Sequence, residues 1–455
     1  MMMHRLSWLL VALFVPSVHA LDLQDAYALA LRNDPTFHAA LKEHEAGQEE
    51  IAIGRAALLP SLNYSYSNAR NESEVTQSTA AGDVRTRRDY RSYSSNLTLQ
   101  QPLFDYAAWA EYRQGVARAL LADERFRARS QELLVRLFEA YSSALLAAER
   151  SSLAQAQRRA YGGRLTLNKR LFEGGEGTRT DMLETQARHE LALAQEIEAQ
   201  DALDAALNEL QSIVGEPLVM QDLTPMTETF EVQPLQPQRF DAWRDMALAS
   251  NADLASQRHG LEVAEQNVKR LRAGHLPTLS AYASSRLTSS DSESSYNQKY
   301  DTDSIGIQFS MPLFAGGRVT ASSRQASRQL EQASYELDAQ TAATLVELRR
   351  QYNQCVSSVA KVRAYELAVA SASTLVEATQ KSVIGGERVN LDVLDAEQQQ
   401  FEAKSNLAEA RYGYLRAWLQ LRYLAGVLGE ADLQQLSGYF PSPERASSPA
   451  PADAP

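Results

Sequence analysis

After Pro60, and again after Pro277, the apolar positions change from a helical to an alternating pattern. Leu62, Tyr64 and Tyr66 fall on one side of an extended chain and Asn63, Ser65 and Ser67 on the other, because successive strand side chains point to opposite faces. Leu97 and Leu99 alternate with Asn96, Thr98 and Gln100, and Ile305, Ile307, Phe309 and Met311 alternate with Gly306, Gln308 and Ser310. Leu279 to Leu287 forms a weaker strand rich in alanine and serine. Four strands are therefore predicted, in two pairs joined by polar loops from about Asn71 to Asp89 and from about Ser289 to Asp303. Pro60, Pro102, Pro277 and Pro312 mark the expected helix–strand junctions, since proline lacks the donor that either interior needs.

The rest of the pattern is helical and long. No proline occurs between Pro102 and Pro217, or between Pro312 and Pro441. A continuous helix from Asp105 to Phe172 would run about 100 Å at 1.5 Å per residue, a length that only packing against other helices can hold. Leu345, Leu348, Tyr352, Cys355, Val359 and Val362 supply such a seam with coiled-coil spacing, and Leu134, Leu137, Tyr141, Ala144 and Ala148 repeat it. Cys355 stands where the other seam has Ala144, so it reads as a small core residue.

Gly174-Gly175 and Gly385-Gly386 interrupt these helices, and each pair suits a left-handed helix end. The chain then returns along a second helix, from Asp181 to about Val214 and from Asp392 to about Leu428. Each half thus makes one long antiparallel hairpin with a glycine tip. Shorter helices are expected to start at Asn33-Asp34-Pro35, with Asn33 or Asp34 as the cap, and at Ser250-Asn251.

The two halves are copies. Leu59-Pro60-Ser61-Leu62 recurs as Leu276-Pro277-Thr278-Leu279, Pro102-Leu103-Phe104 as Pro312-Leu313-Phe314, and the glycine-acid stretch of residues 174–184 as residues 385–395. The order is the same at a nearly constant offset, which indicates a tandem duplication. The expected organisation is a signal peptide (1–20), a first repeat (21–215), a proline-bearing linker (216–239), a second repeat (240–436) and a disordered tail rich in proline, alanine and serine (437–455).

Composition removes several classes of function. A net charge of -12 opposes general nucleic-acid binding, which needs a basic face. One cysteine excludes an internal disulfide and any cysteine-rich metal site. The seven histidines show no metal-ligand spacing, no Gly-x-Ser-x-Gly elbow occurs, and the glycine pairs lack the Gly-Lys-Ser/Thr of a phosphate loop. No enzyme, cofactor or metal is expected. His4 and Arg5, the apolar run Leu6 to Val15 and the small residue Ala20 form an export signal with cleavage after Ala20. Beyond it no apolar run reaches 18 residues, so any membrane insertion must use strands.

Two features stay open on the residues alone. The strands fit either a soluble sheet with one wet face or a barrel wall, and four strands in hydrocarbon must be completed by further copies. The acid pairs Asp181/Glu184 and Asp392/Asp395 fit either capping boxes with aspartate at the cap or carboxylates gathered round a pore mouth.

The signal, the duplicated order of helices and strands, the run Gly-x-Arg-x-x-x-Asp-Val-Leu-Asp at Gly386 to Asp395 and the stretch Asn406 to Leu415 together resemble the TolC family of outer-membrane channel-tunnels. The likeness covers Leu21 to Leu436. Without a cysteine at the start of the mature chain, and with Arg32-Asn33-Asp34-Pro35, the sequence is most similar to the type I protein export branch, the AprF-like alkaline protease exporters.

The resemblance implies a mainly α fold with β: long antiparallel coiled-coil hairpins, and four strands per chain contributing to a twelve-stranded outer-membrane β-barrel in a homotrimer. It also implies a tunnel into the periplasm, docked by a periplasmic adaptor and an inner-membrane ABC transporter or other pump, and carrying an exported polypeptide. Drug or other small-molecule efflux is the alternative cargo, and a soluble periplasmic coiled-coil scaffold or adaptor the alternative class. Asp392 and Asp395 match the family's acidic ring at the entrance, and Arg388 an arginine latch with Asp181 as its partner. Val383 stands where the family often has an aromatic.

Overall fold

The computed structural model describes residues 21–227, 230–292 and 295–441, and the side chains of residues 290–297 lie outside that description. The expected signal peptide and all of the tail beyond residue 441 also lie outside the described residues. Two short helices, α1 (Leu23–Asn33) and α2 (Pro35–Ala56), precede the strands β1 (Ser61–Thr79) and β2 (Gly82–Phe104). The long hairpin α3 (Tyr106–Glu173) and α4 (Arg179–Val214) follows. After an irregular connection the order repeats with α5 (Phe240–Ser250), α6 (Ala252–Arg272), β3 (Thr278–Ser292), β4 (Ser295–Ser310), α7 (Arg318–Ile384) and α8 (Asn390–Leu424), and α9 (Glu430–Ser437) is added.

The helix starts follow their chemistry. The Asp22 carboxylate accepts from the N–H groups of Gln24 and Asp25 at 2.9 and 2.8 Å and caps α1. This helix and α5 were not among the sequence expectations. Asp34, rather than Asn33, caps α2 through the Phe37 N–H at 3.1 Å, and it also takes Arg136 at 2.6 Å. Asn33 instead donates to the last carbonyl of α4, Val214, at 2.8 Å, and Asn251 does the same to Leu424 of α8 at 2.9 Å.

By contact the chain forms two compact units, each drawing on both sequence halves. The first holds residues up to Ala39, Arg129–Asn251 and Thr344 onwards. Its core joins Leu23, Leu133, Leu137, Phe138, Tyr141, Trp243, Tyr412 and Leu415. Leu348, Cys355 and Val362 are buried as the seam requires, whereas Val359 is 47% exposed. Burial pushes the Cys355 thiol up to about 12, in keeping with a packing role. The chain stays packed past residue 437: Phe440 is buried and meets Phe138 and Tyr141 edge to face.

The second unit holds Ala40–Ala128 and Ala252–Ala343. Here α2 and α3 approach closely, since a Cβ on Gly115 would come within 2.3 Å of the Glu50 carbonyl oxygen. The unit's sheet runs β1-β2-β3-β4, every pair antiparallel. Register places Leu62 opposite Leu99, Leu99 opposite Ala283 and Ala283 opposite Ile305, so one face carries a continuous apolar row. The opposite face carries Asn63, Thr98, Ser284 and Ser304 in the adjacent row.

Two expectations about the strands are corrected. The stretches read as polar loops, Asn71 to Asp89 and Ser289 to Asp303, are almost wholly strand, because backbone pairing continues regardless of side-chain polarity. In the first, Arg85 and Glu74 add a cross-strand ion pair at 3.7 Å. Pro102 is not a junction either, since it lies two residues inside the end of β2, at a bulge against β3. Pro102 stands opposite Ser280 and Leu103 is the residue left out of the register, so the proline sits where the ladder is already interrupted, a place that tolerates its missing N–H. Pro60 and Pro277 immediately precede β1 and β3, and Pro312 follows β4.

Candidate functional site

The two hairpin tips are built alike. At the first, Gly175 takes φ +79°, its N–H donates to the Phe172 carbonyl at 3.1 Å, and the Glu176 N–H donates to Leu171 at 2.9 Å. At the second, Gly386 takes φ +77°, its N–H donates to Val383 at 3.1 Å, and the Glu387 N–H donates to Ser382 at 3.0 Å. This is a Schellman ending, in which the left-handed residue turns the chain out and two late carbonyls find donors. Gly174 and Gly385 precede it and close the last helical turn, donating to Arg170 at 2.9 Å and Lys381 at 3.0 Å.

The restarts differ from the expected capping boxes. The caps are Thr178 and Val389, so Asp181 and Asp392 stand three residues inside. The Thr178 hydroxyl oxygen accepts the Asp181 N–H at 3.1 Å and its O–H donates to the Asp181 carboxylate at 2.5 Å. Val389 has no polar side chain, and only the return bond forms, from its N–H to Asp392 at 3.4 Å. Helix formation begins at Arg179 and Asn390, which leaves Glu184 and Asp395 a turn further in and free of capping.

The sequence-derived latch does not form within the chain. The Asp181 carboxylate is engaged by its own cap, and Arg388 is exposed with no ion pair among the described residues. Its place just after the turn, before α8 begins, aims its side chain at solvent.

The link between hairpins is made by other residues. Arg188 donates to Asp395 at 2.7 Å and also to Gln398. Deeper, Arg164 reaches Glu397 at 2.8 Å, with Glu397 only 9% exposed. The Thr185 hydroxyl is fully buried: it accepts from Asn168 at 2.8 Å and Asn390 at 3.1 Å and donates to the Asp181 carbonyl at 2.7 Å. Tyr161, Ala192 and Leu394 close a small apolar cluster beside it.

Of these linking residues the sequence singled out Asp181 and Asp395 but not the partners Arg164, Thr185, Arg188 and Glu397, although one signal was present. Asp181, Thr185 and Arg188 are four and three residues apart, the spacing of one helix face. Which face meets α8 is decided by packing and cannot be read from that spacing.

A polar cluster lies further along α3 and α8. Tyr412 donates to Glu149 at 2.9 Å, and Arg416 to the buried Ser142 hydroxyl at 2.7 Å. Burial raises the Glu149 carboxyl above its ordinary range, partly offset by the Tyr412 bond and by Arg411. Burial lowers the Arg416 guanidinium, partly offset by Glu139 and Glu409. Among the described residues, no His, Cys, Asp and Glu cluster could hold a metal, and no helix is long and apolar enough to cross a membrane.

Comparison with known proteins agrees with this architecture. The chain is 55% identical to the alkaline protease secretion protein AprF of Pseudomonas aeruginosa, over 98% of this chain and 93% of that protein. It is 51% identical to the proteases secretion protein PrtF of Dickeya chrysanthemi, over 94% and 92%. Among solved structures, the CmeC outer membrane channel of Campylobacter jejuni matches with a TM-score of 0.76 at 16% identity, covering 92% of this chain and 90% of that one, which speaks for the fold. The family model for outer membrane efflux proteins matches residues 26–216 and 243–427, one segment in each half, and the chain belongs to that family of TolC-like outer-membrane proteins.

Proposed function

We propose that this chain is the exit duct of a type I system that secretes a protease. Three copies would close a twelve-stranded barrel in the outer membrane, and their hairpins would form the periplasmic tunnel. The observation that carries this reading is the sheet. β1 and β4 each leave an edge without a partner among the described residues, while Ile305, Ile307 and Phe309 are 89%, 69% and 64% exposed. Open edges are costly in hydrocarbon, so four membrane strands need further copies to close. The likeness to the protease secretion proteins AprF and PrtF supports protein, and specifically protease, as the cargo.

Conduction is passive in this reading. An inner-membrane ABC transporter supplies the energy, a periplasmic adaptor joins it to the hairpin tips, and the exported polypeptide crosses a continuous aqueous path. Asp392 and Asp395 of the three copies line the entrance, where repelling carboxylates attract cations. Arg188 holds Asp395 within each subunit, and the exposed Arg388 is left to reach a carboxylate of an adjacent copy. Residues 1–20 are a cleaved export signal, and the repeats 21–215 and 240–436 are the two halves of each subunit.

Single-channel recording in a planar bilayer tests the reading, with wild type beside Asp392→Asn/Asp395→Asn. Small, stable, cation-preferring steps that lose their preference in the double variant are expected. A chain that neither conducts nor floats with outer membranes would reject it, and a deletion strain that still exports its protease would reject the cargo.

A further inference from the structure

Past its apolar rows the β1–β2 pair continues as a polar ribbon. The face that carries Leu62, Tyr64 and Tyr66 on β1 goes on through Asn68, Arg70, Glu72 and Glu74. On β2 the same face carries Tyr93, Arg91, Asp89, Arg87 and Arg85. Ion pairs run diagonally along it: Arg87 with Glu72, Arg85 with Glu74 at 3.7 Å, and Arg70 with Asp89 at 4.0 Å. Four guanidiniums thus meet three carboxylates, and the remaining acid near the turn, Asp83, is held by the Ser78 hydroxyl at 2.6 Å.

The surplus cation sits at the row nearest the apolar band. Arg70 and Arg91 are directly opposite one another in the register, and Arg91 is exposed with no ion-pair partner among the described residues. Like charges opposite each other across two strands are destabilising. The Asp89 carboxylate stands at the limit of a salt bridge from Arg70, and both side chains are more than half exposed. An anion between the two guanidiniums would remove the repulsion and supply charge-assisted bonds to both.

The neighbouring row fits the same ligand. Asn68 lies opposite Tyr93, and its amide points back to the Tyr66 hydroxyl at 3.4 Å. Two guanidiniums, a carboxamide and a phenol therefore share one patch on the lipid-facing side. Tyr64 and Tyr66 lie immediately below, where a barrel's aromatic girdle meets the headgroups. The hairpin turn lies at the opposite strand ends from the helices, so this end of the sheet faces away from the periplasm.

We propose that Arg70 and Arg91, assisted by Asn68 and Tyr93, bind the phosphate of an outer-leaflet lipid headgroup. The inference rests on the sheet lying in the outer membrane. Dissolved phosphate shares the chemistry, but the position beside outward-facing tyrosines selects a phosphate anchored by acyl chains.

The test uses the full chain purified in detergent, with lipid A bisphosphate as probe and dephosphorylated lipid A and inorganic phosphate as comparisons, read by native mass spectrometry. Wild type should retain the bisphosphate and neither comparison. Arg70→Gln/Arg91→Gln should bind it about tenfold more weakly, while Arg85→Gln/Arg87→Gln, which removes the same charge nearer the turn, should bind as wild type does. Arg70→Lys/Arg91→Lys should recover part of the loss, which separates lost charge from lost folding. Equal retention by all variants, equal retention of the dephosphorylated lipid, or retention of inorganic phosphate alone would overturn the proposal. Membrane flotation of wild type distinguishes the premises: a floating protein without phosphate preference defeats only this site, and one that fails to float defeats the membrane reading with it.

Discussion

Arg188 on α4 and Asp395 on α8 meet at 2.7 Å, an ion pair between the two hairpins about two helical turns from their tips. Both side chains keep contact with solvent, at 29% and 50% exposure, so the pair is worth about 0.2–1 kcal/mol and weakens in salt. That size suits a contact that has to break. Arg188→Gln should raise closed-state conductance by up to about fivefold, with the difference shrinking at high ionic strength. An unchanged closed-state current in low salt would show that the pair does not hold the entrance.

Thr185 is a stiffer link. Replacement by valine keeps the shape but strands the Asn168 and Asn390 amides, which both donate to its hydroxyl. Thr185→Val should cost about 1–3 kcal/mol, visible as a lower melting temperature, whereas Thr185→Ser should cost less. If valine melts with wild type, the buried node carries no stability.

Two left-handed glycines should respond differently to alanine. Gly386 has φ +77° and open space where a Cβ would go, so Gly386→Ala meets backbone strain alone, on the order of 1 kcal/mol. Gly426 has φ +71° and would also place a Cβ 2.2 Å from the Ser250 carbonyl oxygen. Gly426→Ala should therefore be much the more damaging in thermal unfolding. The reverse order would contradict the packing at the end of α8.

Glu149 makes a pH prediction whose sign follows from burial. Its folded carboxyl is raised, so the protonated form suits the fold and stability falls as pH rises through the carboxyl range above 4.5. Glu149→Gln keeps an acceptor for Tyr412 and abolishes that dependence. The variant should unfold at higher temperature than wild type near neutral pH and converge with it in acid. A gap that widens on acidification would reverse the assignment.

The sheet's two faces should differ sharply. Ile305→Arg puts a charge on the outward apolar row and should cost up to about 2–4 kcal/mol at mid-membrane depth. The adjacent Ser304→Arg points to the polar face and should insert normally. Yield of membrane-integrated, heat-modifiable protein reads both, and equal yields would remove the lipid-facing assignment.

The elements themselves were legible in the chain. Alternation at Leu62 to Tyr66 and at Ile305 to Phe309, proline-free spans with seam spacing, and glycine pairs at both turns encode strands, long helices and tips, because those signals depend only on local geometry. The run from Gly386 to Asp395 also carried the family. Local pattern could not say where strands stop: ladder bonds are made by the backbone, so β1 and β2 continue through Arg70 to Thr79 and Gly82 to Arg91 although no apolar alternation marks them. Nor could it choose partners across the hairpins. Asp395 takes Arg188, which is 207 residues away, while Arg388 beside it stays in solvent, because side-chain pairing is decided by which faces of α4 and α8 turn toward each other once packed. Local pattern settled the long helices, the strand starts and the hairpin tips, while the strand ends, like the partner of each charged residue, were settled by tertiary structure.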